Sequence, residues 1–182
     1  MNAAAACFVE RGFHGAGMAA IAKKAEMSPG HIYHYFSTKN DIIAAIVERE
    51  SAAKVAFFKA FCDVEPENIL QVLLDKVDEG VEKCADPFES ILSREILAET
   101  QRNREIAQIV HRHHEDSLKV FVDILTSKLG VEDVESKVNC MKAMFSGIMI
   151  QVLVNPKLDR VALTAEVKRL IKFMLSGEKS TI

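Results

Sequence analysis

The chain has 182 residues, 49% of them hydrophobic and 27% charged, with a formal net charge of -3. That balance excludes a disordered chain, and the length is enough to bury a core in one domain or two small ones. Cys7, Cys62, Cys84 and Cys140 lie without Cys-x-x-Cys pairing, which argues against a disulfide framework and for a reducing cytoplasm. The longest apolar run, Cys140 to Val154, is interrupted by Lys142 and Gln151. It falls short of the ~20 residues that cross a bilayer, so no membrane partner is expected.

Hydrophobic periodicity predicts an all-α chain of about nine helices. The first, from about Ala3 to Arg11, is alanine-rich, turns Cys7 and Phe8 inward and stops at Gly12. The second runs from about Met18 to Ala25, with Met18, Ile21, Ala22 and Ala25 on one inward stripe and Lys23 and Lys24 facing out. After a turn at Glu26-Met27, Ser28 has N-cap chemistry, and Pro29 suits the first helical position, where its missing N–H costs nothing. Met27 and Ile32 can close a hydrophobic staple. In this third helix Gly30, His31, Tyr33 and His34 occupy exposed turns, while Ile32, Tyr35 and Phe36 are expected to face inward. Two short helices joined by a tight turn make a helix-turn-helix, whose second helix reads bases in the major groove with such side chains. Thr38 caps the next helix, where Lys39 offers a point charge for a phosphate. Up to residue 60 there are 7 Lys+Arg against 5 Asp+Glu, and beyond it 16 against 21, so the basic excess lies with this segment.

A long helix follows from Lys39 to about Phe61, with Ile42, Ile43, Ile46, Ala53, Phe57 and Phe61 inward. The boundary between a DNA-binding domain, residues 1–46, and a helical domain, residues 47–182, falls within it. Pro66 opens a helix to about Cys84, with Ile69, Val72, Leu73 and Val77 on one face. Asp86 caps and Pro87 starts a helix to about Gln101, with Phe88, Ile91, Leu92, Ile96 and Leu97 as its apolar set. Asn103 caps a long helix to Leu129, closed by Gly130. The last two run from about Val131 to Val154 and from about Asp159 to Leu175, the second ended by Gly177. Val138, Met141, Phe145, Ile148, Met149 and Val152 on one, and Val161, Leu163, Val167, Leu170, Ile171 and Met174 on the other, exceed what one internal seam requires.

Ala5-Ala6 with Phe8, Gly12-Phe13, Ile21-Ala22, Ser28-Pro29-Gly30-His31-Ile32-Tyr33 and Phe36-Ser37-Thr38-Lys39 stand in an order and spacing that resembles the DNA-binding region of the TetR family of transcriptional regulators. The resemblance covers Ala3 to about Ile46 and implies a three-helix DNA-binding domain followed by a ligand-binding and dimerisation bundle. Together with the residue chemistry it marks Gly17, Met18, Lys24, Ser28, Pro29, Gly30, His31, Tyr33, His34 and Lys39 as DNA-binding. It further implies a homodimer through the last two helices, with recognition helices ~34 Å apart on a palindromic double-stranded operator. Three departures stand out. Ala16 and Gly17 lack the hydroxyl usual at the scaffold-helix cap, and Glu26 stands where the family often has Gly, so the turn's backbone must be accommodated differently. Met1-Asn2 leads almost directly into Ala3 where family members carry a basic extension: either the start is truncated or the protein lacks that arm.

A cavity in the C-terminal bundle is expected to take a small, largely apolar ligand. Its candidate lining is Phe61, Phe88, Leu92, His114, Phe121 and Met144, with Glu95 or Glu99 as polar anchors, although ordinary core packing is the plainer account of any one of them. His111 and His114 share a helix face that His113 does not, so a closed metal site would need ligands from another helix. No metal, cofactor or catalytic constellation is expected. The chain therefore reads as a cytoplasmic, dimeric repressor released from its operator by a small molecule. A regulator controlled by a protein partner, or an all-helical enzyme or metal protein, is the alternative.

Overall fold

The computed structural model describes residues 1–176, and among these it is all-α, as expected. Its helices are α1 (Asn2–Gly15), α2 (Met18–Lys24), α3 (Pro29–Tyr35), α4 (Lys39–Lys59), α5 (Ile69–Asp75, entered through a 3-10 turn at Pro66–Asn68), α6 (Val77–Ala85), α7 (Pro87–Thr100), α8 (Arg104–Leu129), α9 (Val134–Val154) and α10 (Arg160–Leu175). Gly177, expected to end the last helix, lies outside the described residues.

Side-chain caps set the starts of α4, α7, α8 and α10. The Asp86 carboxylate accepts from the N–H of Phe88 at 2.7 Å and of Glu89 at 3.1 Å, starting α7. Asn103 accepts from Glu105 at 3.0 Å and Ile106 at 3.3 Å, starting α8, and Asp159 accepts from Ala162 at 3.0 Å, starting α10. Thr38 and Asp41 bond each other's backbone N–H reciprocally, at 3.2 and 2.8 Å, closing a capping box at the start of α4. Gly130 ends α8 with φ +60, a left-handed conformation that glycine adopts freely.

Four expectations need correction. The helix expected from Pro66 to Cys84 is divided at Lys76, so two short helices replace one. Ile69, Leu73, Val77 and Val81 are buried in one core at four-residue spacing, with Leu74 beside them. In a straight helix such a stripe rotates by about 40° per step, and the break brings it back to one core. The α9 helix starts at Val134 rather than Val131, because Asp133 takes φ 55 and breaks the chain there. Ala53, expected inward, is exposed on α4. On α7, Phe88 and Leu97 are exposed, Ile91 and Ile96 are half-buried, and only Leu92 of the expected apolar set is fully buried.

The chain divides into two compact units, one of residues 1–53 with 91–115 and one of residues 54–90 with 116–182. The first holds the expected DNA-binding segment and gathers Phe8, Phe13, Ile21, Ile32, Ile43, Leu92 and Ile106 into one core. Residues 91–115, from α7 and α8, therefore complete the core under the helix-turn-helix.

The second unit packs Phe61, Ile69, Leu73, Phe121, Leu125, Val138 and Ile171 together. Phe58 and Phe121 stack with ring centroids 4.3 Å apart and an interplanar angle of 14°. The ammonium of Lys128 donates to the carbonyls of Cys62 and Val64, each at 2.7 Å, tying down the chain that leaves α4. Mid-way along α9, burial holds the Lys142 ammonium pKa below its usual value, and the charge of Lys54 adds to the effect. By length and composition α9, at 21 residues, also meets the requirement of a membrane span. Phe121→Ala removes a buried ring from the centre of this unit and is expected to destabilise it by about 3 to 5 kcal/mol, read as a lower urea midpoint.

Candidate nucleic-acid interface

Three helices of the first unit, α1 to α3, hold the candidate interface. The second of them, α2, ends in a turn in which Met27 N–H donates to the Ala22 carbonyl at 3.0 Å and Glu26 N–H to the Lys23 carbonyl at 3.2 Å. These are the two bonds of a Schellman ending, and they place Glu26 at φ 55, where an L side chain is strained and glycine is preferred. Glu26 thus occupies a conformation that favours glycine. The chain then enters α3, where the Ser28 hydroxyl accepts from His31 N–H at 3.2 Å and Pro29 holds the first helical position. Ile32 is buried and Phe36 half-buried against the core, and Met27 packs there with them.

The opposite side of α3 is open. Pro29, Gly30, His31, Tyr33 and His34 are all exposed, and a Cβ placed on Gly30 would meet nothing within 4 Å. Tyr35, expected to face inward, is 62% exposed, more than Tyr33 at 53%. Its ring lies 5.4 Å from that of His31 and 5.3 Å from that of His34. Periodicity put Tyr35 inward because it lies only about 60° from Ile32 around the helix, but Phe36, at about 40°, is the one that packs against the core. Four rings therefore project from two turns of helix, offering N–H and O–H donors to base edges and phosphates.

Of the other expected contacts, the two lysines have partners within the chain. Gly17 is exposed at the start of α2 and Met18 is half-buried. Lys24 pairs with Glu10, and that bond holds the Glu10 carboxyl below its usual pKa. Lys39 is half-buried, donating to the Phe13 carbonyl at 2.8 Å with its ammonium 4.5 Å from the centre of the Phe13 ring.

The eight ligand-lining candidates are divided between the two units. Phe61, Phe121 and Met144 share the core of the second unit, with the first two rings 6.3 Å apart. Phe88 is exposed at the start of α7. Leu92 is in the core of the first unit, where Glu95 accepts a backbone hydrogen bond from Phe13. His114 is exposed on α8. His111 is exposed too, whereas His113 is half-buried with its Nε2 atom lacking a hydrogen-bond partner among the described residues. Burial pushes the Cys84 thiol pKa up against the pull of Lys54 and Lys83, which disfavours its reactive thiolate. A groove of about 290 Å³ runs between α6 and α10, lined by Asp78, Glu82, Arg160, Val161, Thr164, Ala165 and Lys168. Ion pairs of Lys168 with Asp78 and of Arg160 with Glu82 lie along it, so it is open and charged, and none of the lining candidates belongs to it.

Residues 1–46 match the family of bacterial regulatory proteins described as tetR. The HTH-type transcriptional regulator UidR of Escherichia coli K12 is 34% identical over 115 residues, which cover 63% of this chain and 56% of that protein. The match thus spans little more than half the length of the relative. Among solved structures, Salmonella enterica GusR superposes with a TM-score of 0.74 at 23% identity, covering 96% of this chain and 92% of that one. FadR from Bacillus subtilis, solved in complex with stearoyl-CoA, gives a TM-score of 0.75 at 22% identity, covering 98% and 97%. A TetR transcription regulator from Haloarcula marismortui gives 0.74 at 17% identity, covering 96% and 93%. These likenesses carry the helix-turn-helix in the segment described above and the fold along nearly the whole chain.

Two substitutions check the local geometry. Glu26→Gly relieves the left-handed strain and is expected to stabilise the chain by about 0.5 to 1 kcal/mol, read as a higher melting temperature. Ser28→Ala removes the α3 cap at a cost of about 1 kcal/mol, and Ser28→Gly costs only a few tenths.

Proposed function

We propose that the chain is a cytoplasmic DNA-binding transcriptional regulator of the tetR family acting as a homodimer, a reading supported by the match of residues 1–46 and by the likeness to UidR. The observation that carries the reading is the exposed face of α3, where His31, Tyr33, His34 and Tyr35 project from a helix held by its Ser28 cap and by Ile32. An aromatic and imidazole surface of this kind has little use on a freely solvated helix. In a major groove its donors reach bases and phosphates together.

Dimerisation is supported by α9 and α10. Only 17% of the most apolar window of α9 is buried within the chain. Ile150, Val154, Val161, Leu170 and Phe173 on these helices are all exposed, Val161 to 82%. A second copy would cover this surface and bring two α3 helices to a palindromic operator.

Repression relieved by a small ligand is the regulatory part of the proposal. The buried Nε2 of His113 supports it, because an unsatisfied buried polar atom costs about 1 to 3 kcal/mol and a ligand group would satisfy it. FadR, solved with stearoyl-CoA, has the same fold, which makes a largely apolar ligand the class to test. A ligand acts only through its preference for the released state, by ~1 to 3 kcal/mol at typical coupling.

The test is binding to DNA flanking the chain's own gene, against random DNA, over a salt series. Specific affinity that falls as salt rises is expected, and salt-sensitive binding without sequence preference would refute the regulator reading. Tyr33→Ala should lower specific affinity roughly ten- to hundredfold. Phe173→Glu should give a monomer in analytical ultracentrifugation and lose most of the operator affinity; a variant that stays dimeric would put the interface elsewhere. A screen of acyl and other apolar compounds that changes neither DNA affinity nor melting temperature would leave control by a protein partner as the better account.

A further inference from the structure

We infer that Glu95 on α7 is a positioning residue for DNA binding: its carboxylate holds the bend of α1 at Gly12, and that bend sets the place of the helix-turn-helix. The inference rests on the DNA-binding reading and adds the residue through which α7 acts on it.

At Gly12 the backbone takes φ 70 and ψ 162, so α1 is interrupted and the peptide after it needs partners outside the helix. Phe13 N–H finds the Glu95 carboxylate at 2.8 Å. The same Oε2 atom would lie 3.4 Å from a Cβ on Gly12, so carboxylate and glycine are fitted to each other. On its other side the Phe13 carbonyl accepts from the Lys39 ammonium at 2.8 Å, and the His14 carbonyl lies 3.5 Å from that ammonium. One turn further along α7, Glu99 meets His14 Nε2 at 3.1 Å, with the Glu99 side chain only 5% exposed. Glu95 and Glu99 are four residues apart and therefore share one face of α7.

The segment from Gly12 to His14 is thus gripped by two carboxylates of α7 and by one ammonium at the start of α4. Two residues beyond it, Ala16 is fully buried, and Gly17 begins α2 directly. The α2 helix passes its orientation to α3 through the turn at Glu26 and Met27. A shift of α7 that broke the Glu95 bond would free the Phe13 peptide, and the start of α2 with it. Both carboxylates expected from the sequence to anchor a ligand are engaged in this grip.

The test compares the chain with its Glu95→Ala, Glu95→Asp and Glu95→Gln variants. Gln retains a carbonyl oxygen that can accept from Phe13 N–H, whereas Asp keeps the charge but withdraws it by one methylene. Amide exchange at Phe13 should accelerate at least about tenfold in the Ala and Asp variants and stay near wild type in Gln. Affinity for the DNA flanking the chain's gene should fall roughly tenfold in Ala and Asp, recover in Gln, and keep its salt slope, since no phosphate contact is lost. Ala and Asp variants that release the Phe13 amide yet bind this DNA as wild type does would overturn the inference. Should Ala fail to fold, the contrast of Asp with Gln decides in the same way. A wild-type chain without specific DNA binding would instead fail the regulator reading and take the inference with it.

Discussion

A helix that bends must find partners for the backbone groups it releases, and the first unit is organised around one such bend. In an unbroken helix Phe8 and Phe13 would lie about 140° apart, on different sides. With the break at Gly12 both rings are buried in one core, their centroids 5.4 Å apart. The core under the helix-turn-helix therefore depends on a conformation that only glycine adopts without strain. That conformation in turn depends on Glu95 and Lys39 to satisfy the peptide beyond it.

Local chemistry made much of this fold legible. Ser28, Asp86, Asn103 and Asp159 each act two or three residues from their own backbone partners, so sequence spacing alone identifies them as caps. The glycines at 12 and 130 announce left-handed backbone for the same reason. What escaped is long-range or cumulative. Glu95 reaches a peptide 82 positions away and Lys39 one 26 away, and in sequence each is an ordinary charged residue on a helix surface. The break at Lys76 is cumulative, since each four-residue step is acceptable and only their sum turns the stripe off the core. On α3, with barely two turns, periodicity put both Tyr35 and Phe36 inward, and only Phe36 packs against the core.

The last two helices illustrate a different limit. Ile148 is buried and Ile150 exposed, and Ile171 is buried and Phe173 exposed, pairs that lie about 200° apart around their helices. A helix apolar on both sides is stable in water only when both sides are covered. The sequence displays the excess, but the chain's own fold covers one side. The proposed dimer would cover the other, and it is also what two recognition helices on one operator require.

Regulation adds a constraint of magnitude. In the proposed regulator, a grip on the helices that would read DNA must outlast thermal motion, yet be weak enough for a ligand's differential affinity to undo. A hydrogen bond to a charged group is worth about 1.5 to 3 kcal/mol net, and typical allosteric coupling is about 1 to 3 kcal/mol. One charge-assisted bond from Glu95 to a backbone N–H falls in that window. A wholly apolar contact between α7 and the bend would be less suited to switching, because dispersion and burial weaken gradually as surfaces part. The carboxylate bond is directional and is lost within about an ångström of movement. A polar clasp at a glycine bend thus converts a small displacement of α7 into release of the Phe13 peptide.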